Sequence, residues 1–288
     1  RGECTPYARY GETIETTLAV IASCRDLIEA GGDREALAAR LPAGAARNAL
    51  DCALWDLEAN LAGRSVADLT GLQPVCDAET AITIVIDTPE AMAAEAAAFR
   101  GVPLLKVKVD ADDPMARIAA VRAVAPDARL IVDPNESWTI EQLADLQPAL
   151  AAARVDLLEQ PIPAQASALL EGFARRVPIC ADEAVHTAAD LPGLRGRYDV
   201  VNIKLDKTGG LTEGLRLAQA ARDAELGVMV GCMLCSSLGI APAVLLSQLA
   251  DFADLDGPIS LRDDRPDGFR FADGRIKASG GDIWGAGT

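Results

Sequence analysis

Six residues carry the chemistry this sequence offers: Lys106, Lys108, Asp133, Glu159, Asp182 and Lys204. From Lys106, the steps to Asp133, Glu159, Asp182 and Lys204 are 27, 26, 23 and 22 residues. Each of these groups ends a short apolar run, and one polar group per repeat would encode a single ring around one site. Three carboxylates brought together without countercharge repel, so a hard divalent cation is their natural occupant. Oxygen-only ligation with room for water suits Mg²⁺ better than Zn²⁺, which favours His or Cys. The simpler reading of any one of these acids is a cap on the helix after its strand; three in register favour the metal.

Side chains alternate along a strand, so Lys106 and Lys108 share a face, as do Asp254 and Asp256. Two ammonium groups this close repel. Repulsion lowers the pKa of at least one and yields a neutral amine usable as a base near neutral pH. An isolated K-x-K reads more simply as a solvated pair on a strand edge, but the apolar flanks of LLKVKV argue against that. Lys204 lies four strands on from Lys108, on the opposite wall of a closed barrel. Opposed amines flanking a metal-bound carboxylate would take a proton from one face of a carbon and return one to the other.

The elements that would position these groups fall into two regimes. Residues 12–70 are helical in pattern, with apolar positions recurring at three and four and with Gly31, Gly32 and Gly63 as stops. From residue 80 onward, eight β-branched runs alternate with Ala-rich segments: 81–86, 104–110, 130–135, 155–161, 178–183, 200–206, 228–233 and 252–257. The room between runs suits one crossover helix each, which implies parallel pairing. Eight such units close most naturally into a barrel, whose C-terminal mouth is where chemistry is assembled. A doubly wound open sheet is the alternative, but no run ends in G-x-G-x-x-G. The expected division is a mainly helical cap over 1–78, a barrel over 79–257, and a segment over 258–288 that returns to the cap.

Among 288 residues, 27 Lys and Arg face 43 Asp and Glu, a formal net charge of −16. Nucleic acid binding needs a basic face, so no such partner is expected. Seven scattered cysteines and one histidine fit neither a disulfide framework nor a His-rich metal site; reduced thiols in the cytoplasm fit better. No basic-then-apolar signal opens the chain. It starts at Arg1 inside RGECTPYARYGE, so an N-terminal piece is expected to be missing. Residues 226–250 carry no charge, yet Gly231, Ser236, Ser237, Gly239 and Pro242 interrupt what a spanning helix of about 20 apolar residues would need. The stretch reads as strand, loop and helix in the barrel interior, and no membrane partner is expected.

LLKVKVD, IVDPNESW, LLEQP, ICADEAVHT, VNIKLDKTGGLTEG and FADLDGP resemble the successive strand-end motifs of the enolase superfamily, in its muconate-lactonising subgroup. Within it, the dipeptide epimerases are the most similar. CTPYARYGET, PAGAARNALDCALWDLEA and GCMLCSS resemble the cap and seventh-strand segments of the same enzymes. The resemblance covers 2–258. It implies an α/β fold, a TIM-type (β/α)7β barrel with an α+β capping domain, here without the N-terminal part of the cap. It implies Mg²⁺, one ion per subunit, on Asp133, Glu159 and Asp182, with Lys108 and Lys204 as acid/base lysines and Lys106 tuning Lys108. Asp254 and Asp256 match the D-x-D that receives the substrate ammonium. The implied reaction is epimerisation of an L-Ala-D/L-Glu type of dipeptide at the α-carbon of its C-terminal residue, by proton transfer through an ene-diolate. Tyr7, Arg9 and Tyr10 are the candidates in the cap for the far end of the substrate. Pro134 departs from the small residue expected after the first acid.

A cytoplasmic homo-oligomer acting on a small molecule is the expected form. Rival readings are an N-acylamino-acid racemase, o-succinylbenzoate synthase or cycloisomerase on the same scaffold, and a non-catalytic barrel that binds an acidic metabolite. D-x-D argues against the first group, and paired opposed lysines against the second. His186 reads as a local hydrogen-bonding residue, Cys232 and Cys235 as packing, and Trp55 and Trp138 as core or wall. Strand alternation should turn Glu183 away from Asp182.

Overall fold

The computed structural model describes residues 1–75, 77–278 and 283–287, so Cys76 and part of the expected C-terminal segment, 279–282 and 288, lie outside the described residues. A 3-10 turn at Ala8–Tyr10 leads into five helices: α1 (Ile14–Ser23), α2 (Arg25–Glu29), α3 (Arg34–Arg40), α4 (Ala45–Ala62) and α5 (Val66–Thr70). Their starts are written in the sequence. Thr13 and Thr16 form a capping box on α1, Asp33 caps α3, and Ser65 and Asp68 box α5. Gly63 ends α4 at φ 59°, a left-handed conformation that glycine adopts without penalty.

Strand β1 (Asp77–Glu79) precedes the barrel, which alternates β2 (Ile82–Ile84), α6 (Pro89–Ala98), β3 (Leu104–Lys108), α7 (Pro114–Val124), β4 (Arg129–Asp133), α8 (Ile140–Ala152), β5 (Leu157–Glu159) and β6 (Ile179–Ala181). It continues through α9 (Leu191–Leu194), β7 (Val200–Lys204), α10 (Leu205–Thr208), α11 (Leu211–Asp223), β8 (Gly227–Gly231), α12 (Ser237–Leu246) and β9 (Phe252–Asp254). Strands β2 to β9 pair in sequence order, all parallel. The ring closes where Ala81 N–H donates to the carbonyl of Ala253 at 2.8 Å.

Two crossovers depart from the expected helices. Between β5 and β6 the chain makes a 3-10 segment, Ala164–Leu170, and between β6 and β7 a 3-10 turn followed by the four-residue α9. Pro161, Pro163 and Gly172 in the first, and Pro192 with Gly193 in the second, deny the chain an uninterrupted helical run. Past the barrel, β10 (Arg270–Ala272) and β11 (Arg275–Lys277) pair antiparallel, with β1 joining β11. Trp284 Nε1 donates to the Cys52 carbonyl and Gly285 N–H to Asp56, so this part of the chain lies against α4. No helix among the described residues is long and apolar enough to cross a membrane.

The barrel interior is layered by period-two alternation. Ala81, Leu104, Ile131, Leu157, Cys180, Val200 and Met229 form a closed apolar floor. Two residues further along the strands stand Lys106, Asp133, Glu159, Asp182, Asn202 and Gly231, and Phe252, packed against the floor, is followed at the same interval by Asp254. Floor and polar ring are thus one pattern, set by strand register: Lys108 lies beside Asp133, Glu159 beside Cys180, Lys204 beside Gly231 and Gly231 beside Asp254. The larger core fills the space between barrel and helices.

Candidate active site

The polar ring is buried. Lys106, Asp133, Glu159, Asp182, Lys204 and Asp254 are all 8 % exposed or less. Lys106 Nζ stands 2.7 Å from Asp254 Oδ2, 2.8 Å from Glu159 Oε2 and 3.1 Å from Asp133 Oδ2. At the C-terminal end of β3, Lys108 Nζ donates to Asp133 Oδ2 at 2.6 Å and to Asn135 Oδ1 at 2.8 Å. Across the ring, Lys204 Nζ donates to Asp182 Oδ2 at 2.7 Å and lies 4.0 Å from Glu159 Oε1. None of the three acids caps a helix: α8 is capped by Thr139 with Gln142, and Asp133 Oδ1 instead accepts from Asn135 N–H two residues on.

Electrostatics follow from this packing. Burial raises Glu159, and Asp133 and Asp182 add to it, so its carboxyl is pushed up to about 7. Burial works against the charge of Asp133 too, but Lys106 and Lys108 outweigh it and hold the carboxyl down to about 2. Asp182 is likewise held well below the carboxylate range, by Lys204 and Lys207 against burial. Repulsion within K-x-K is expected to lower at least one of the two lysines, and Lys106 is not the one lowered. Burial does favour its neutral amine, but Asp254, Glu159 and Asp133 outweigh burial and hold Lys106 well above the ordinary amine range.

A hard dication fits these residues. Six carboxylates (Asp133, Glu159, Asp182, Glu183, Asp254 and Asp256) meet four amines (Lys106, Lys108, Lys204 and Lys207), leaving the mouth two positive charges short. Asp254 Oδ1 is buried without a hydrogen-bond partner, and Glu159 Oε2 makes no hydrogen bond, with Lys106 Nζ as its ion-pair neighbour at 2.8 Å. Among the described residues, no three acids already surround one point closely enough to hold an ion. Amines stand between them, with Lys106 bridging Asp133 to Glu159 and Lys204 bridging Glu159 to Asp182.

The D-x-D pair also faces the mouth. Asp256 Oδ2 accepts from Thr83 N–H at 2.7 Å, and burial together with Asp254 raises its carboxyl to about 6. Of the cap candidates, Tyr10 comes nearest: its phenol is raised by burial first and then by Asp182. Its ring stands edge-on to His186 at 4.8 Å, and Tyr7, 44 % exposed, lies tilted against it with ring centres 5.7 Å apart. Arg9 forms an ion pair with Glu136. Beside Pro134, Asn135 and Glu136 take left-handed φ angles of 45° and 65°, which turn the Asn135 amide onto Lys108.

Other expectations find their places. Trp138 is buried and donates to the Asp110 carbonyl, and Trp55 donates to Thr212. Cys232 and Cys235 are free thiols. The main-chain N–H of His186 donates to Asp190, while its ring packs on Tyr10. Glu183 is a correction. The strand ends at Ala181, alternation stops there, and the Glu183 carboxyl feels Asp182, Lys204 and Asp133 as near neighbours.

Three residues went unmarked in the sequence. Asn202 Nδ2 donates to Glu159 Oε1 at 2.9 Å; a polar residue two before Lys204 in VVNIK was its only signal. Gln160 takes φ 35° and accepts from the Asp182 and Ala184 N–H groups. Lys207 Nζ reaches Asp182 Oδ1 at 2.5 Å.

Residues 2–71 match the mandelate racemase/muconate lactonizing enzyme N-terminal domain, and 90–285 match the enolase C-terminal domain-like family. The L-Ala-D/L-Glu epimerase of Escherichia coli (strain K12) is 51 % identical over 277 residues, 96 % of this chain and 86 % of that protein. The N-acetyl-D-glutamate racemase of a Pseudoalteromonas species is 45 % identical over 288 residues, 98 % and 90 % of the two chains. A solved enolase family member from Agrobacterium tumefaciens, described as homologous to dipeptide epimerases and carrying sodium and L-Ala-L-Glu, superimposes with a TM-score of 0.95 at 48 % identity. That match covers 99 % of this chain and 87 % of the other.

Proposed function

The chain belongs to the mandelate racemase/muconate lactonizing enzyme family of the enolase superfamily, and from that premise we propose that it is a magnesium-dependent dipeptide epimerase. The observation that carries this reading is the opposition of Lys108 on β3 and Lys204 on β7, four strands apart in an eight-strand ring. The three acids come from β4, β5 and the end of β6, the strands between them.

Asp133, Glu159 and Asp182 would hold Mg²⁺, which supplies positive charge to the substrate's terminal carboxylate and so acidifies the α-proton beside it. One lysine takes that proton as a neutral amine, and the lysine on the opposite wall donates to the other face. Lys106, below Lys108 on the same face of β3, holds a fixed positive charge beside Asp133 and Glu159. General base catalysis of this kind contributes about 10²–10⁴-fold. Asp254 and Asp256 receive the free ammonium of the dipeptide; Asp254 Oδ1, buried and without a partner, is the oxygen aimed at it. Tyr10, with Tyr7 behind it, borders the far end of the substrate. Arg9 already meets a carboxylate, that of Glu136, and a substrate carboxylate would take its place.

Scattered, unpaired cysteines among the described residues support a cytoplasmic setting, where thiols stay reduced. Exposed Ile14 and Leu18 on α1 and Leu57 and Leu61 on α4 support a homo-oligomer, checked by light scattering. The test of function is proton NMR of L-Ala-L-Glu and of N-acetyl-glutamate in D₂O, each with Mg²⁺ and then with EDTA. Mg²⁺-dependent epimerisation of the dipeptide is expected. Turnover of N-acetyl-glutamate alone would assign the protein to racemisation of N-acyl amino acids instead.

A further inference from the structure

Each of the three acids has one oxygen tied to the framework and one facing the mouth. For Asp133 the tied oxygen is Oδ1, which accepts from Asn135 N–H at 2.9 Å. For Glu159 it is Oε1, held by Asn202 Nδ2 at 2.9 Å. For Asp182 it is Oδ1, and the group that ties it is Lys207.

Lys207 is not on a strand. It sits in α10, the short turn after β7, and is 2 % exposed. Its ammonium has three N–H donors and three acceptors: the Asp182 carbonyl, Asp182 Oδ1 at 2.5 Å and the Asn202 carbonyl at 3.2 Å. With its donors used up in this way, Lys207 has none left for a substrate. A buried charge is expensive unless it is paired, and here the pairing grips Asp182 by both main chain and side chain. Oδ2 is left turned inward, 2.7 Å from Lys204 Nζ.

The turn bearing Lys207 is itself clamped by the cap. Gly209 (φ 78°) and Gly210 (φ 115°) end it, and a methyl group on either would stand 2.3 Å from the Arg47 or the Asp51 side chain of α4. Arg47 donates to the carbonyls of Thr208 and Gly209, and Asp51 accepts from Thr212 N–H and Oγ1. The glycines of LDKTGG are there because the cap helix comes this close.

We propose that Lys207 is the positioning residue for Asp182: it fixes the carboxylate in the orientation that binds the metal and transmits the seating of the cap to that site. This inference rests on the metal site assigned above. The test uses Lys207→Met and Lys207→Arg in the full chain. Mg²⁺ affinity is measured by calorimetry without substrate, and kcat for the dipeptide as a function of Mg²⁺ concentration. Loss of an outer partner of a metal ligand lowers metal affinity about 10–100-fold. That rise in Kd is expected for Lys207→Met, with kcat recovering to within several-fold at saturating Mg²⁺. A lower Tm with unchanged Mg²⁺ affinity would mean that Lys207 only supports the fold, and would overturn the proposal.

If Lys207→Met does not fold, Lys207→Arg decides. A longer planar guanidinium cannot make the same three bonds, so its Mg²⁺ Kd must rise at least several-fold, and wild-type affinity would refute the inference. A wild-type chain that binds no Mg²⁺ would remove the metal site itself, a distinct result.

Discussion

Gly231→Ala should damage proton transfer on one face of the substrate while leaving the fold intact. Gly231 ends β8 beside Lys204, and its backbone has no left-handed φ, so alanine meets no conformational penalty. Space is the problem. A methyl group there would stand 2.8 Å from Asn202 Oδ1, 3.0 Å from its Nδ2 and 3.1 Å from Lys204 Cε. Asn202 is fully buried and holds Glu159, so it has little room to yield, and Lys204 must shift outward by a few tenths of an ångström or more. Overpacking of this kind costs about 1–3 kcal/mol, a fall of several degrees in Tm at this size. Displacing a reacting group by about 1 Å costs on the order of 10²-fold in rate. In D₂O, the dipeptide diastereomer whose α-proton is exchanged by Lys204, identified as the one silenced in Lys204→Ala, should lose part of that factor, on the order of 10-fold; exchange of the other should fall much less. Gly193→Ala is the control, since a methyl group there meets nothing within 4 Å. Equal losses at both faces, or none at either, would refute the reasoning.

Asp206 predicts a pH effect on stability. It is partly buried in the cap–barrel seam, where Thr5 N–H and Asn48 Nδ2 both donate to Oδ1, and desolvation there raises its carboxyl to about 7. The folded state then holds a proton that the unfolded state releases above about 4, so this group's stabilisation is lost as pH rises from about 4 to about 7. Asp206→Asn keeps the Oδ1 acceptor without the charge, and melting curves across that range should show the decline removed, with the variant more stable than wild type at pH 8. Asp51→Ala strips Thr212 N–H and Oγ1 of their acceptor and should cost about 1–3 kcal/mol in urea unfolding.

Much of the site was legible because buried parallel strands read as apolar runs. Lys106, Asp133, Glu159, Lys204 and Asp254 stand out against LLKVK, RLIVD, LLE, VVNIK and FAD for that reason alone. The same alternation misleads where a strand has already ended. Glu183 was turned the wrong way because β6 stops at Ala181, and Lys207 was passed over because it lies in a turn whose direction no strand period sets. Gln160 reaches Asp182 only through a left-handed backbone angle that glutamine rarely adopts. Arg47 and Asp51 act on residues about 160 positions away, and local pattern carries no trace of such a contact. The charge on Lys106 was hidden for a related reason: the sequence shows its neighbour two residues along, whereas the three carboxylates that dominate it arrive from other strands.

Deuterium exchange into L-Ala-L-Glu and L-Ala-D-Glu, measured for Lys108→Ala and Lys204→Ala with Mg²⁺ present, tests the central claim most directly. Two amines on opposite walls predict complementary results: each variant loses epimerisation, and each retains exchange of only one diastereomer, a different one in the two cases. If both variants kept exchange of the same diastereomer, or either still epimerised at the wild-type rate, the two lysines would not be working on opposite faces of one carbon.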